Sequence, residues 1–187
     1  MPALLISTAV VAVAEIGDKT QLLSLLLAAR FRKPVPIIVA ILLATLANHA
    51  LAAWLGGQAA LEIDPQWLRW LLGVSFCGIA LWALCPDRLD TRLPWSARLG
   101  VFATSLVAFF VAEIGDKTQV AAIALAASYA DFYPVLVGST LGMMCANVPV
   151  VFLGERITRR CPLRYIRWLA AALFALVGVA VFVAPAP

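Results

Sequence analysis

The chain has 187 residues, 64% of them hydrophobic and only 13% charged, with a mean hydropathy of +0.98. That balance falls outside the soluble globular range and inside the membrane range, and little chain remains between the apolar runs for a soluble domain. The formal charge of +4 does not point to nucleic acid, because the basic residues are sorted by loop.

Apolar runs bounded by charge, Pro or Gly predict six spans, at about 3–29, 34–56, 67–85, 99–128, 134–154 and 165–184. The first is not read as a signal peptide: it has no basic leading stretch, and it carries Glu15, Asp18 and Lys19. Arg30, Arg32 and Lys33 lie between spans one and two, and Arg88, Arg92 and Arg98 between three and four. Arg156, Arg159, Arg160, Arg164 and Arg167 lie between five and six, whereas the opposite side has Arg69 alone. Such asymmetry places those three loops in the cytoplasm and both termini outside it, as for a protein of the bacterial inner membrane. Cys77, Cys85, Cys145 and Cys161 lack Cys-x-x-Cys spacing, so they read as small apolar packing residues and not as a disulfide framework or a thiolate metal site.

Spans one and four each contain the octapeptide Ala-Glu-Ile-Gly-Asp-Lys-Thr-Gln, at Ala14 to Gln21 and at Ala112 to Gln119. Arg98 to Glu113 is fifteen residues, and Asp116 to Asp131 is another fifteen. At about 1.5 Å per residue that is about 22 Å of helix on either side. In a hydrocarbon layer about 30 Å thick the motif therefore lies near the midplane. Ionisable residues at that depth mark a functional site.

The duplication reaches further. Trp67-Leu68-Arg69-Trp70-Leu71 is answered by Tyr165-Ile166-Arg167-Trp168-Leu169, and Leu55-Gly56 by Leu153-Gly154, both at the octapeptide's offset of 98. Ala47-Asn48 matches Ala146-Asn147 at an offset of 99, and Pro36 and Pro134 open the two second spans. Each half has three spans, an odd number, so the second half must enter the membrane upside down relative to the first. The expected fold is a single all-α transmembrane domain, 1–187, of six transmembrane helices. These form two inverted three-helix repeats, about 1–86 and about 98–187, with a shared site at the midplane.

On a continuous helix Glu15 and Asp18 share a face, with Gln21 continuing the row, and Lys19 stands four residues beyond Glu15, the favourable order for an ion pair. Gly17 allows either a close backbone approach or local unwinding. Thr20 offers a hydroxyl, and Glu113, Gly115, Asp116, Lys117, Thr118 and Gln119 repeat the pattern. A purely structural ion-pair cluster gains little over apolar packing, because burying each ion costs several kcal/mol. Four carboxylates against two lysines leave two negative charges, the complement of one divalent cation or of two protons. Glu15, Asp18, Glu113 and Asp116 are hard oxygen ligands without Cys or His, which favours Ca²⁺ or Mn²⁺. Lys19 and Lys117 are expected as counter-ions, since an ammonium only donates.

Asn48 and Asn147 either donate carbonyl ligands, orient the carboxylates or bond between helices. Met143, a turn before Asn147, is either a soft ligand favouring Mn²⁺ or a lipid-facing or core residue. Pro149 predicts a kink in span five, and His49 is a packed histidine or a proton relay.

The doubled Glu-x-Gly-Asp-(Lys/Arg)-(Thr/Ser) signature in a six-span chain closely resembles the family of the eukaryotic Golgi manganese/calcium–proton exchangers, which has manganese-exporting bacterial relatives. The resemblance covers the whole chain. It implies transport of Mn²⁺ or Ca²⁺ coupled to protons, with Glu15, Asp18, Glu113 and Asp116 at the family's acidic positions and Lys19, Thr20, Lys117 and Thr118 at its last two. The cation and protons are then substrates, the lipid bilayer is the remaining partner, and no cofactor is permanently bound. A homo-oligomer is left open. Competing readings are an exporter of a small organic solute, an intramembrane carboxylate hydrolase and a passive channel. Internal two-fold symmetry and a net charge of two negatives favour the exchanger.

Overall fold

The computed structural model describes residues 2–85, 100–153 and 163–183. Among these residues every regular element is an α-helix, eight in all: α1 (Pro2–Glu15), α2 (Lys19–Phe31), α3 (Pro34–Glu62), α4 (Pro65–Ala83), α5 (Gly100–Glu113), α6 (Lys117–Tyr129), α7 (Phe132–Leu153) and α8 (Leu163–Val183). The boundaries follow local chemistry. Pro34 and Pro65 open α3 and α4, where a missing N–H costs nothing. Asp64 caps α4 by accepting from the Gln66 N–H at 2.9 Å. Left-handed residues, Arg32 and Ala130, end α2 and α6, and in each case the chain enters the next helix within two residues.

Four of the six expected runs are single helices, α3, α4, α7 and α8, with α3 continuing to Glu62. The first and fourth runs are each broken in two, and both breaks fall inside the octapeptide. Helix α7 passes through Pro149 to Leu153. Cys77, Cys85 and Cys145 lie on the exterior, so they do not serve as the buried packing residues the sequence suggested. Arg88, Arg92, Arg98, Arg156, Arg159, Arg160 and Cys161 lie outside the described residues, and with them the loops on which most of the charge asymmetry rests.

Each broken run packs on the third helix of the other half. Along α1 and α2 the partners on α7 advance in step: Gly138 meets Leu4, Gly142 meets Thr8 and Ala12, and Asn147 meets Glu15 and Ser24. Along α5 and α6 the partners on α3 advance likewise, from Thr45 at Glu113 to Gly56 at Ile123 and Ala126. Helices α4 and α8 pack together in opposite directions, Gly73 against Phe182 and Gly178 against Phe76. Between α1 and α7 an added Cβ would stand 2.5 Å from the Leu4 carbonyl oxygen at Gly138 and 2.6 Å from the Thr8 carbonyl oxygen at Gly142, so only glycine lets the two helices approach this far.

Two apolar clusters flank the breaks. One joins Val10 and Ala14 of α1 with Leu125 of α6, Phe76 of α4 and Phe174 of α8. The other joins Leu23 and Leu27 of α2 with Phe109 of α5 and Ile41 of α3. Since α1 and α2 lie on opposite sides of one break, the octapeptides form a polar layer between the two clusters.

Candidate functional site

The octapeptide specifies a helix break. Glu15 ends α1, and its carbonyl accepts from the Asp18 N–H at 3.0 Å across a turn whose third residue, Gly17, has φ 82°. That positive φ is what a type II turn requires, and glycine supplies it without strain. Glu113, Gly115 (φ 71°) and Asp116 repeat the turn, again with a 3.0 Å bond. An added Cβ at Gly115 would meet nothing within 4 Å, so there the glycine serves conformation and not close approach.

The next helix starts at once, with Asp18 and Asp116 as N-cap residues that make no side-chain capping bond. Gln21 takes over the task, accepting from the Gly17 N–H at 2.8 Å, and Gln119 does the same for Gly115 at 2.7 Å. This is capping-box spacing with the glutamine reaching one residue further back. Both aspartate carboxylates are thereby released toward the centre. Helix N-termini stabilise these anions, while the C-terminal ends of α1 and α5 favour a cation.

The break also redirects the lysines. A continuous helix would pair Lys19 with Glu15, but the turn at Gly17 removes them from a common face. Instead the pairs are crossed between motifs: Lys19 Nζ lies 2.9 Å from Asp116 Oδ1, and Lys117 pairs with Asp18. The two pairs differ in access, Lys19 being 24% exposed and Lys117 only 4%.

Three of the four anticipated carboxylates converge. Glu15, Asp18 and Asp116, all buried, each offer an oxygen within 4.8 Å of the others. Glu113 stands apart from that group, its Oε1 accepting from Thr45 at 2.7 Å and its Oε2 from the Asn48 amide at 2.9 Å. Asn147 donates to Glu15 Oε1 at 3.2 Å and accepts from Ser24 at 2.6 Å. Both asparagines thus hold a motif glutamate through their nitrogens. Glu15 Oε2 and the Thr20 hydroxyl are buried without a hydrogen-bond partner, whereas Thr118 donates to Asp116 Oδ2 at 3.2 Å. Gln21 and Gln119 also tie the breaks outward, to the Ala146 carbonyl at 3.2 Å and to Asn48 Oδ1 at 3.5 Å. Thr45 and Ser24 belong to the network but were not anticipated. Their only sequence signal is a hydroxyl one helical turn from Asn48 and from Gln21, which any apolar helix tolerates. His49 is buried on α3 with neither ring nitrogen hydrogen-bonded.

A buried carboxylate cluster held between four helix ends, with crossed lysines, suits reversible neutralisation by a cation. A family profile described as divalent cation/proton antiporter GDT1 matches residues 3–91 and 101–186. The chain belongs to that family. It is 58% identical over 181 residues to a candidate manganese exporter of Vibrio cholerae, covering 96% of this chain and 90% of that one. It is 26% identical over 200 residues to a GDT1-like protein of Synechocystis, covering 90% and 91%. A GDT1-like protein of Schizosaccharomyces pombe is 30% identical over 82 residues, 44% of this chain and 28% of that one. No solved structure matches. Membership of the GDT1 family makes the chain a transporter and not an enzyme, so the hydrolase reading falls. A proton-coupled divalent cation replaces the organic solute and the passive channel. The GDT1 chain is an integral membrane protein: α3 and α7 are each long and apolar enough to cross a bilayer. Its exterior also presents side chains such as Leu43, Val74, Leu81 and Leu176.

Proposed function

We propose that the protein exports Mn²⁺ in exchange for protons, seating the cation among Glu15, Asp18 and Asp116. The observation that carries this reading is the convergence of carboxylates from both motifs in one buried cluster at two helix breaks. The crossed pairs refine the charge count. Lys19 cancels Asp116 and Lys117 cancels Asp18, so the two unbalanced charges belong to Glu15 and Glu113. One divalent cation or two protons then leaves the site neutral, which gives exchange of one cation for about two protons, with Glu15 and Glu113 as the proton carriers. The relative named for manganese export supports Mn²⁺ over Ca²⁺.

The six spans are α1–α2, α3, α4, α5–α6, α7 and α8, and the two halves, about 1–86 and 98–187, form one inverted pair. In favour of this stand the reciprocal packing of each broken span on the other half's third helix, the antiparallel α4–α8 contact and the two-part family match. Broken helices meeting at the midplane are the layout of many secondary transporters. Both termini lie outside the cytoplasm.

Ion-by-ion uptake into proteoliposomes under an imposed pH gradient tests the reading. Mn²⁺ should accumulate against the proton flow. Glu15→Gln, Asp18→Asn, Glu113→Gln and Asp116→Asn should each abolish flux in a folded protein. Any of the four sustaining full flux removes that residue from the site.

A further inference from the structure

The two halves of the site are built from different donors. Glu113 has both oxygens engaged, by Thr45 and Asn48. Glu15 has only Asn147, on Oε1, and its Oε2 is buried without a partner. Three residues before Asn48 stands Thr45; the corresponding stretch before Asn147 is Met143-Met144. Met143 is 0% exposed, so it is not lipid-facing. Its Sδ lies 3.1 Å from Asn147 Nδ2, the nitrogen that is also 3.2 Å from Glu15 Oε1 and 3.1 Å from the Met143 carbonyl oxygen. An amide nitrogen carries two N–H groups. Three acceptors therefore share two protons, and a thioether is the weakest of the three. The sulfur is the acceptor the amide can release, and the same amide nitrogen links it to Glu15, whose other oxygen is unused.

We infer that Met143 is a specificity-determining residue, its thioether giving a cation seated at Glu15, Asp18 and Asp116 a soft contact that favours Mn²⁺ over Ca²⁺ and Mg²⁺. Carboxylate oxygens suit all three ions. Ca²⁺ and Mg²⁺ take oxygen ligands and gain little from sulfur, whereas a first-row transition ion gains more. A selective contact in one half is enough, because the other half's glutamate is occupied by Thr45 and Asn48. The inference rests on the cation reading of the site. A methionine present only for its volume would be replaced by leucine with little effect on ion preference.

Met143→Leu keeps the volume and removes the sulfur. Uptake of Mn²⁺, Ca²⁺ and Mg²⁺ is measured for the wild type and M143L in proteoliposomes under one imposed pH gradient, with Cd²⁺ as a soft competitor. In M143L the Mn²⁺ to Ca²⁺ preference should fall about tenfold, the discrimination given by about 1.4 kcal/mol of differential binding. Inhibition by Cd²⁺ should weaken in parallel. Unchanged preference and unchanged Cd²⁺ inhibition, whatever the absolute flux, overturn the inference and leave the exchanger reading standing. A wild type that moves none of these ions under the gradient overturns the exchanger reading itself. Should M143L not fold, selenomethionine-labelled protein carrying Met144→Leu gives a second readout. Selenium X-ray absorption should gain a metal neighbour when Cd²⁺ is added, and a spectrum indifferent to Cd²⁺ would refute the contact.

Discussion

Lys117 and Asp18 lie almost wholly inside the protein, whereas Lys19 keeps about a quarter of its side chain exposed beside Asp116. Removing one member of a buried pair leaves the other charge where water cannot compensate, a loss of about 3–5 kcal/mol. Lys117→Met should therefore lower unfolding stability by about that amount, and Lys19→Met by clearly less, as read by denaturant unfolding in detergent. In the proposed site each lysine should also limit how hard the cargo is held. Both variants should bind Mn²⁺ more tightly, release it more slowly and turn over more slowly. Original affinity and rate in both would make the lysines structural only. The sequence led to the expectation that the lysines pair with carboxylates, and each does pair with an aspartate. It did not show which carboxylate each would choose, because the partner lies 97 residues away in one pair and 99 in the other.

The broken helix is the element that makes the site, and its parts have separable costs. Gly115→Ala places a β-carbon on a residue at φ 71°, costing about 1–2 kcal/mol from the left-handed conformation alone. With open space around that position, thermal unfolding should show a loss of that size and no larger. Gln21→Ala strands the half-buried Gly17 N–H, at no more than about 1–3 kcal/mol, the cost of a fully buried donor without an acceptor, and should lower transport because Asp18 then competes to cap α2. Gly142→Ala belongs to a different class. Its β-carbon meets the backbone of α1, so the helices must part, and a steep fall in stability and flux is expected although no charge is altered. Element existence was legible because apolar periodicity and length are strong signals. Local unwinding at Gly17 was one of two readings the sequence allowed. The decision came from the Gln21 and Gln119 side chains, whose reach back to the glycine N–H cannot be read from spacing alone.

Across the whole molecule the two halves exchange partners, α1–α2 lying on α7 and α5–α6 on α3, and this arrangement brings both motifs to one layer. The offset repeat made the duplication legible. Convergence of three carboxylates and not four was not, because Thr45 and Asn48 draw Glu113 aside through contacts between helices. Orientation can be tested with the chain's own thiols. In a variant keeping only Cys161, a membrane-impermeant maleimide should leave intact cells unlabelled and react after permeabilisation, whereas labelling from outside would invert the topology. The central claim is that a site carrying two unbalanced negative charges takes either one cation or about two protons. It is tested most directly by Mn²⁺ flux into sealed vesicles under a pH gradient and a membrane potential imposed separately. The account predicts flux that follows the pH gradient and is nearly indifferent to the potential; flux that follows the potential and ignores the pH gradient would contradict it.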